Sequence, residues 1–202
     1  MLVRVPARRD KIGKVIVHGE IEKILKEIAA NRQDAKILLR DVSDGQFNWK
    51  PAPAVWSIAE NFTHLSTVIG LDLQQFDRTI RDAKANKLYS TGPFRYGFFS
   101  RLFVRLMEPP PRRRFTAPAI YTPPPERPLK EALSEFQAAL DRLEAYAKDA
   151  NGLNLVRAKV VSPVTKYMRM PLGARFLLMT AHNRRHFWQA QQVKQHADFP
   201  RA

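Results

Sequence analysis

The residues best placed to do chemistry are histidines. Two of the five stand four apart, His182 and His186, in Ala181-His182-Asn183-Arg184-Arg185-His186-Phe187-Trp188-Gln189, within a stretch free of proline and glycine. On a helix that spacing puts both rings on one face, with Cβ atoms about 5–6 Å apart. Neutral imidazoles so placed grip a divalent cation through their ring nitrogens. Two ligands make a poor site, and the candidate third is His64, in Trp56-Ser57-Ile58-Ala59-Glu60-Asn61-Phe62-Thr63-His64-Leu65. The expectation is a divalent transition metal held by His64, His182 and His186 between two helices. The alternative is that the His-x-x-x-His pair is fortuitous, each ring being solvated or separately hydrogen-bonded.

Other chemistries find little support. With no cysteine in the chain, a thiolate nucleophile, a disulfide framework and a Cys-type zinc site are excluded. Between the paired histidines lie Asn183, Arg184 and Arg185, so the glutamate base of a metalloprotease helix is missing. Any reaction would rest on the ion lowering the pKa of a water or of an incoming substrate group. Three neutral ligands leave the ion's charge uncompensated, which suits a thiolate or hydroxide. Glu60, one turn before His64, has two readings: it orients an imidazole, or it closes a capping box with Ser57. The second needs no metal and is preferred. Arg184 and Arg185 either draw an anionic substrate to the mouth or are solvated, the latter being the default.

Helices must position these rings. A first is expected from about His18 to Val42, where Ile21, Leu25, Ile28, Ala35, Leu38 and Val42 recur at helical spacing. His18 has no histidine near it on that helix and reads as surface. Pro51 and Pro53 keep the next loop extended. Ser57 then opens a second helix running to about Ala83, with Ile58, Phe62, Leu65, Ile69, Leu73 and Phe76 as its apolar stripe. A third is expected from Pro128 to near Asn151-Gly152, and the last from about Ala174 to His196. The last helix carries His182 and His186 on the stripe of Leu178, Gln189 and Val193, where apolar residues would otherwise pack. A bundle interior accepts imidazole only if it is bonded to something. The pattern predicts an all-α four-helix bundle.

Residues 86–127 hold more than half of the fifteen prolines and read as an insertion between the second and third helices. Phe94 to Met107 would form a short apolar helix there, ended by Pro109-Pro110-Pro111 and followed by Arg112-Arg113-Arg114. Such a segment is either a lid or partner surface, or a packed excursion covering one end of the core. Its arginines do not gather on one face of that helix, which disfavours membrane docking.

At 202 residues and 45% hydrophobic content the chain is long enough for one well-packed domain, expected over 18–202, after a basic arm at 1–17. No apolar run reaches the ~20 residues that span a bilayer, and the basic start leads into no apolar leader segment. A cytoplasmic location is the expectation. Lys+Arg 34 against Asp+Glu 19 gives a net charge of +15. This favours weak, salt-sensitive binding to nucleic acid or anionic membranes without identifying either as a partner.

Two motifs carry a family resemblance. One runs from Leu39-Arg40-Asp41-Val42-Ser43 through Asn48-Trp49-Lys50-Pro51-Ala52-Pro53 to Trp56-Ser57-Ile58-Ala59-Glu60 and His64-Leu65. The other is His182-Asn183-Arg184-Arg185-His186-Phe187-Trp188-Gln189-Ala190. In this order the pair resembles the DinB/YfiT-like superfamily, in particular its DinB_2-type members, over about residues 20–85 and 125–195. The resemblance implies a four-helix bundle whose three histidines, here His64, His182 and His186, bind zinc, nickel or another divalent transition metal. It also implies a small-molecule substrate: characterised relatives include S-transferases using low-molecular-weight thiols and a maleylpyruvate isomerase. Relatives commonly pair, so a homodimer is implied too. The acidic residue frequent after the first histidine of the second motif is here Asn183.

Overall fold

A computed structural model of the chain describes residues 19–111 and 116–201. The arm at 1–17, His18 and the arginines 112–114 lie outside the described residues. The elements in order are α1 (Gly19–Leu38), α2 (Asp44–Asn48), α3 (Ile58–Ala85), α4 (Phe98–Met107), a single 3-10 turn (Ala119–Tyr121), α5 (Leu129–Asp149), β1 (Lys159–Val161), β2 (Arg169–Pro171) and α6 (Leu172–Lys194). The long helices α1, α3, α5 and α6 form the all-α bundle. Each of α1 and α3 packs against both α5 and α6, so α1 lies diagonally across from α3. Phe47, Phe62, Phe76, Phe136 and Phe176 fill the middle with Ile21, Ile24 and Ile28 of α1, all fully buried.

Side-chain pairs fix the helix directions. Asn61 meets His186 and Asp72 meets Arg175, so α3 and α6 run antiparallel. Glu27 meets Arg184 while the Leu38 carbonyl meets Lys194, so α1 and α6 run parallel. Phe62 packs on Phe136 and Lys84 pairs with Asp149, so α3 and α5 run parallel. Parallel neighbours cannot be joined by a tight turn; α3 alone, at 28 residues, is about 42 Å long. The proline-rich segment is the crossover this geometry demands. It climbs the outside of α6 as α4, where Glu108 and the Leu106 carbonyl engage Arg184 and Arg185, then returns to the start of α3. Its inner side packs Phe103, Val104 and Met107 against the core.

Several boundaries differ from expectation for local reasons. The first helix stops at Leu38, four residues early, because Asp41 adopts φ 59°, a left-handed conformation Asp tolerates better than most residues. Lys194 then donates to the carbonyls of Leu38 and Arg40, satisfying the exposed end. The loop after it contains α2, capped by Ser43 and Gln46 in the same Ser-x-x-Glu/Gln box that Ser57 and Glu60 make for α3. The N-terminal end of α5 has only Pro128 at its cap, and Asp44 of α2 accepts from the Leu129 N–H at 2.7 Å in its place. The antiparallel pair β1–β2 was not expected: each strand is three residues long, too short to show alternation, and Val160 pairs with Met170 facing the core. The last helix begins at Leu172, two residues early, placing Gly173 in its first turn.

Candidate metal centre

Ser57 accepts from the Glu60 N–H at 3.0 Å while Glu60 Oε2 accepts from the Ser57 N–H at 2.7 Å, which fixes where α3 starts. The first turn then presents Asn61 and His64 inward, one turn apart. The other Glu60 oxygen pairs with Lys50 at 2.9 Å, so Glu60 is a cap and touches no histidine. From α6, which faces α3 antiparallel, His182 and His186 project into the same seam. His64 Nε2 lies 3.5 Å from His182 Nε2, and His186 Nε2 lies 3.1 Å from it. The structure brings all three expected residues together.

The outer edges of two rings are tied down. His64 Nδ1 donates to the Tyr121 backbone carbonyl at 2.8 Å, and His186 Nδ1 donates to Asn61 Oδ1 at 2.7 Å. Asn61 is itself turned by donating Nδ2 to the Ser57 carbonyl at 2.8 Å, leaving its oxygen for His186. With their protons on Nδ1, both rings present bare Nε2 lone pairs to the third. Trp56 covers two rings, at 5.8 Å and 23° to His186 and 4.9 Å to His64. His64 and His186 are buried, and His182 is half-buried as a residue.

Burial holds the imidazoles neutral. His182 is held down to about 3 by loss of solvation, reinforced by His64, Arg175 and Arg185. His186 is lowered well below its ordinary value by burial, then by His182 and His64. His64 is lowered by burial against the opposing Tyr121 hydrogen bond. Neutral rings are the metal-binding form. Three convergent lone pairs repel one another, and one proton on His182 Nε2 serves at best one of the two short contacts well. A tetrahedral ion 2.0–2.1 Å from each nitrogen needs nitrogens about 3.3–3.4 Å apart; the two separations to His182 Nε2, 3.1 and 3.5 Å, bracket that value, and all three ligand atoms lie within 4.8 Å of one another. The donor set fits a divalent metal.

Neighbouring residues depart from expectation. Arg184 is not solvated: it bridges Glu27 of α1 and Glu108 after α4. Arg185 is buried and donates to the Leu106 carbonyl at 3.2 Å. Asn183 points away from the histidines, donating to Asn31 of α1 at 2.9 Å, so its position carries a helix contact rather than site chemistry. Two turns along the seam, Arg175 grips Asp72 with two bonds of 2.8 and 2.7 Å, both side chains buried. His196 lies elsewhere, against Trp49. Asn61 and Trp56 were missed as site residues although polar and aromatic types at the start of α3 hinted at them. The Tyr121 carbonyl had no signal in the side-chain pattern.

The model of the DinB superfamily matches residues 27–190, a span that contains all three histidines. No curated protein and no solved structure gives a significant match. With four long helices, a three-histidine cluster across the α3–α6 seam and a family match over most of its length, the chain belongs to the DinB superfamily.

Proposed function

We propose that this protein is a metal-dependent enzyme that activates a small thiol or water, for transfer or hydrolysis, at His64, His182 and His186. The observation that carries this reading is three neutral imidazoles whose ligand atoms lie within 4.8 Å of one another, two of them oriented by fixed oxygen acceptors. A divalent ion there, zinc, nickel or similar, would supply the Lewis acidity that makes a thiol or water nucleophilic at neutral pH. The chain's residues do the rest. Asn61 and the Tyr121 carbonyl hold the rings, Trp56 shields their faces, and no anionic ligand offsets the cation's charge. His182 is the least buried of the three residues, and a small substrate would approach from its side. The chain has no cysteine of its own, so a thiol must come from solution, which points to a low-molecular-weight thiol and a cytoplasmic setting that keeps it reduced. A homodimer is the assembly its family suggests.

Elemental analysis after supplementation should find about one equivalent of transition metal in wild type and far less in His64→Ala. Only loaded wild type should then transfer a thiol to an electrophile. Less than about half an equivalent in supplemented wild type overturns the reading. The burial of His64 and His186 favours a second reading, in which the ion only ties α3 to α6. Under it, chelation lowers stability and the loaded protein turns nothing over.

A further inference from the structure

α4 leaves one face without a partner. Its inner side packs Phe103, Val104 and Met107 against the bundle, while Phe98 is 64% exposed, Phe99 83% and Leu102 39%. Arg101 and Arg105 are exposed as well. At 100° per residue, Arg105, Phe98 and Leu102 lie side by side, with Arg101 on one flank and Phe99 on the other. The expectation of scattered arginines fails here because the helix starts only at Phe98, and because packing on α6 leaves both helical arginines outward. Neither arginine has an ion-pair partner among the described residues. The nearest acid in sequence, Glu108, is occupied by Arg184. The outward face is therefore bulky, apolar and purely cationic.

We propose that the outward face of α4 docks on an anionic phospholipid surface, with Phe98, Phe99 and Leu102 entering the headgroup boundary and Arg101 and Arg105 pairing with lipid phosphates. Charge decides against a second copy of this chain: the same face on both sides would set arginines against arginines. Size decides against a firm protein partner, since stable interfaces use about 20–30 residues a side and this face offers five side chains. A fluid lipid surface needs no matched shape, only apolar depth beside negative charge. No helix among the described residues is long and apolar enough to cross a membrane, so the contact lies in the interface.

The test is co-sedimentation of the full chain with phosphatidylcholine vesicles, with and without phosphatidylglycerol, for wild type, Phe98→Ser/Phe99→Ser and Arg101→Gln/Arg105→Gln. Wild type should bind the anionic vesicles and leave the neutral ones. The phenylalanine pair should lose roughly tenfold in affinity, and the arginine pair about fivefold per charge removed. Both pairs are exposed, so circular dichroism and melting should be unchanged; should the serine pair aggregate, the arginine pair carries the test. The proposal is overturned if anionic vesicles fail to bind wild type. It is equally overturned if they bind the folded phenylalanine variant as well as wild type, since the net charge of +15 would then suffice. Light scattering that shows the phenylalanine variant losing an oligomer would reassign the face to self-association and also overturn it.

Discussion

At the scale of single residues, the histidine cluster shows how imidazoles are oriented by the acceptors behind them. An imidazole has two nitrogens, and a metal needs the correct one bare. Here the choice is made by acceptors behind the rings: Asn61 Oδ1 at 2.7 Å from His186 Nδ1, and the Tyr121 carbonyl at 2.8 Å from His64 Nδ1. Asn61 is the more informative of the two, because its amide is pinned by the Ser57 carbonyl, part of the turn that starts α3. The capping box and the histidine cluster are thus mechanically joined. Replacing Asn61 by Ala should leave the three ligands in place yet free the His186 ring to rotate. Metal affinity, measured by competition with a chromogenic chelator, should fall about 10–100-fold. An affinity equal to wild type would show that the ring is held by Trp56 stacking alone.

At the scale of elements, close approach between the crossover and α6 sets what Gly173 can be. A Cβ at Gly173 would sit 1.8 Å from Tyr96 Oη and 3.1 Å from Leu155 Cβ. The Tyr96 hydroxyl cannot simply withdraw, since it donates to Glu20 of α1 at 3.0 Å and its ring packs against the core. One point therefore ties the crossover to the beginnings of both α1 and α6. Gly173→Ala should destabilise the fold by about 1–3 kcal/mol, the range for forcing an extra methyl into a packed contact, read as a lowered urea midpoint with an unchanged slope. Tyr96→Phe in the same background removes the hydroxyl that clashes and should recover part of the loss. The Asp72–Arg175 pair makes a related point about α3 and α6. Burial pushes the Asp72 carboxyl up against the pull of Arg175, and the two-bond grip ties the helices at a second level beyond the histidines.

At the scale of the whole molecule, the buried imidazoles make folding depend on acidity. Unfolded, each titrates near 6.5; folded, His182 is held down to about 3, and His64 and His186 are also lowered. Above pH 6.5 neither state binds these protons, so the contribution of the cluster to stability is intact. Below it the unfolded chain takes up protons that the folded chain refuses. Stability of the metal-stripped protein should therefore drain away as pH falls from 6.5 toward 3. Urea midpoints across that window should drop more steeply for wild type than for His182→Gln. Adding metal should raise the midpoint at pH 7 and lose that benefit on acidification, because protons and metal compete for the same lone pairs. Parallel lines for the two proteins would mean the rings are solvated enough to titrate normally.

How much of this was legible in the chain follows from how local each cause is. Helix type and the three clustered histidines were readable because amphipathic periodicity, a capping box and a four-residue histidine spacing are short-range facts written in side-chain identity. The family motifs reach the same three residues. Helix ends slipped by a few residues where backbone conformation, such as Asp41 in the left-handed region, outweighed the apolar pattern. What no local reading supplies is pairing across distance. That α3 and α5 run parallel, so that the proline-rich segment must cross the bundle and return its Tyr121 carbonyl to His64, is decided only when the helices choose neighbours. The same choice buries Arg185, turns Asn183 toward Asn31 and leaves Phe98 and Phe99 facing outward. Local order follows from each residue's own chemistry and its near neighbours; the partners a side chain meets follow from the burial of all the apolar faces at once, a condition on the whole chain.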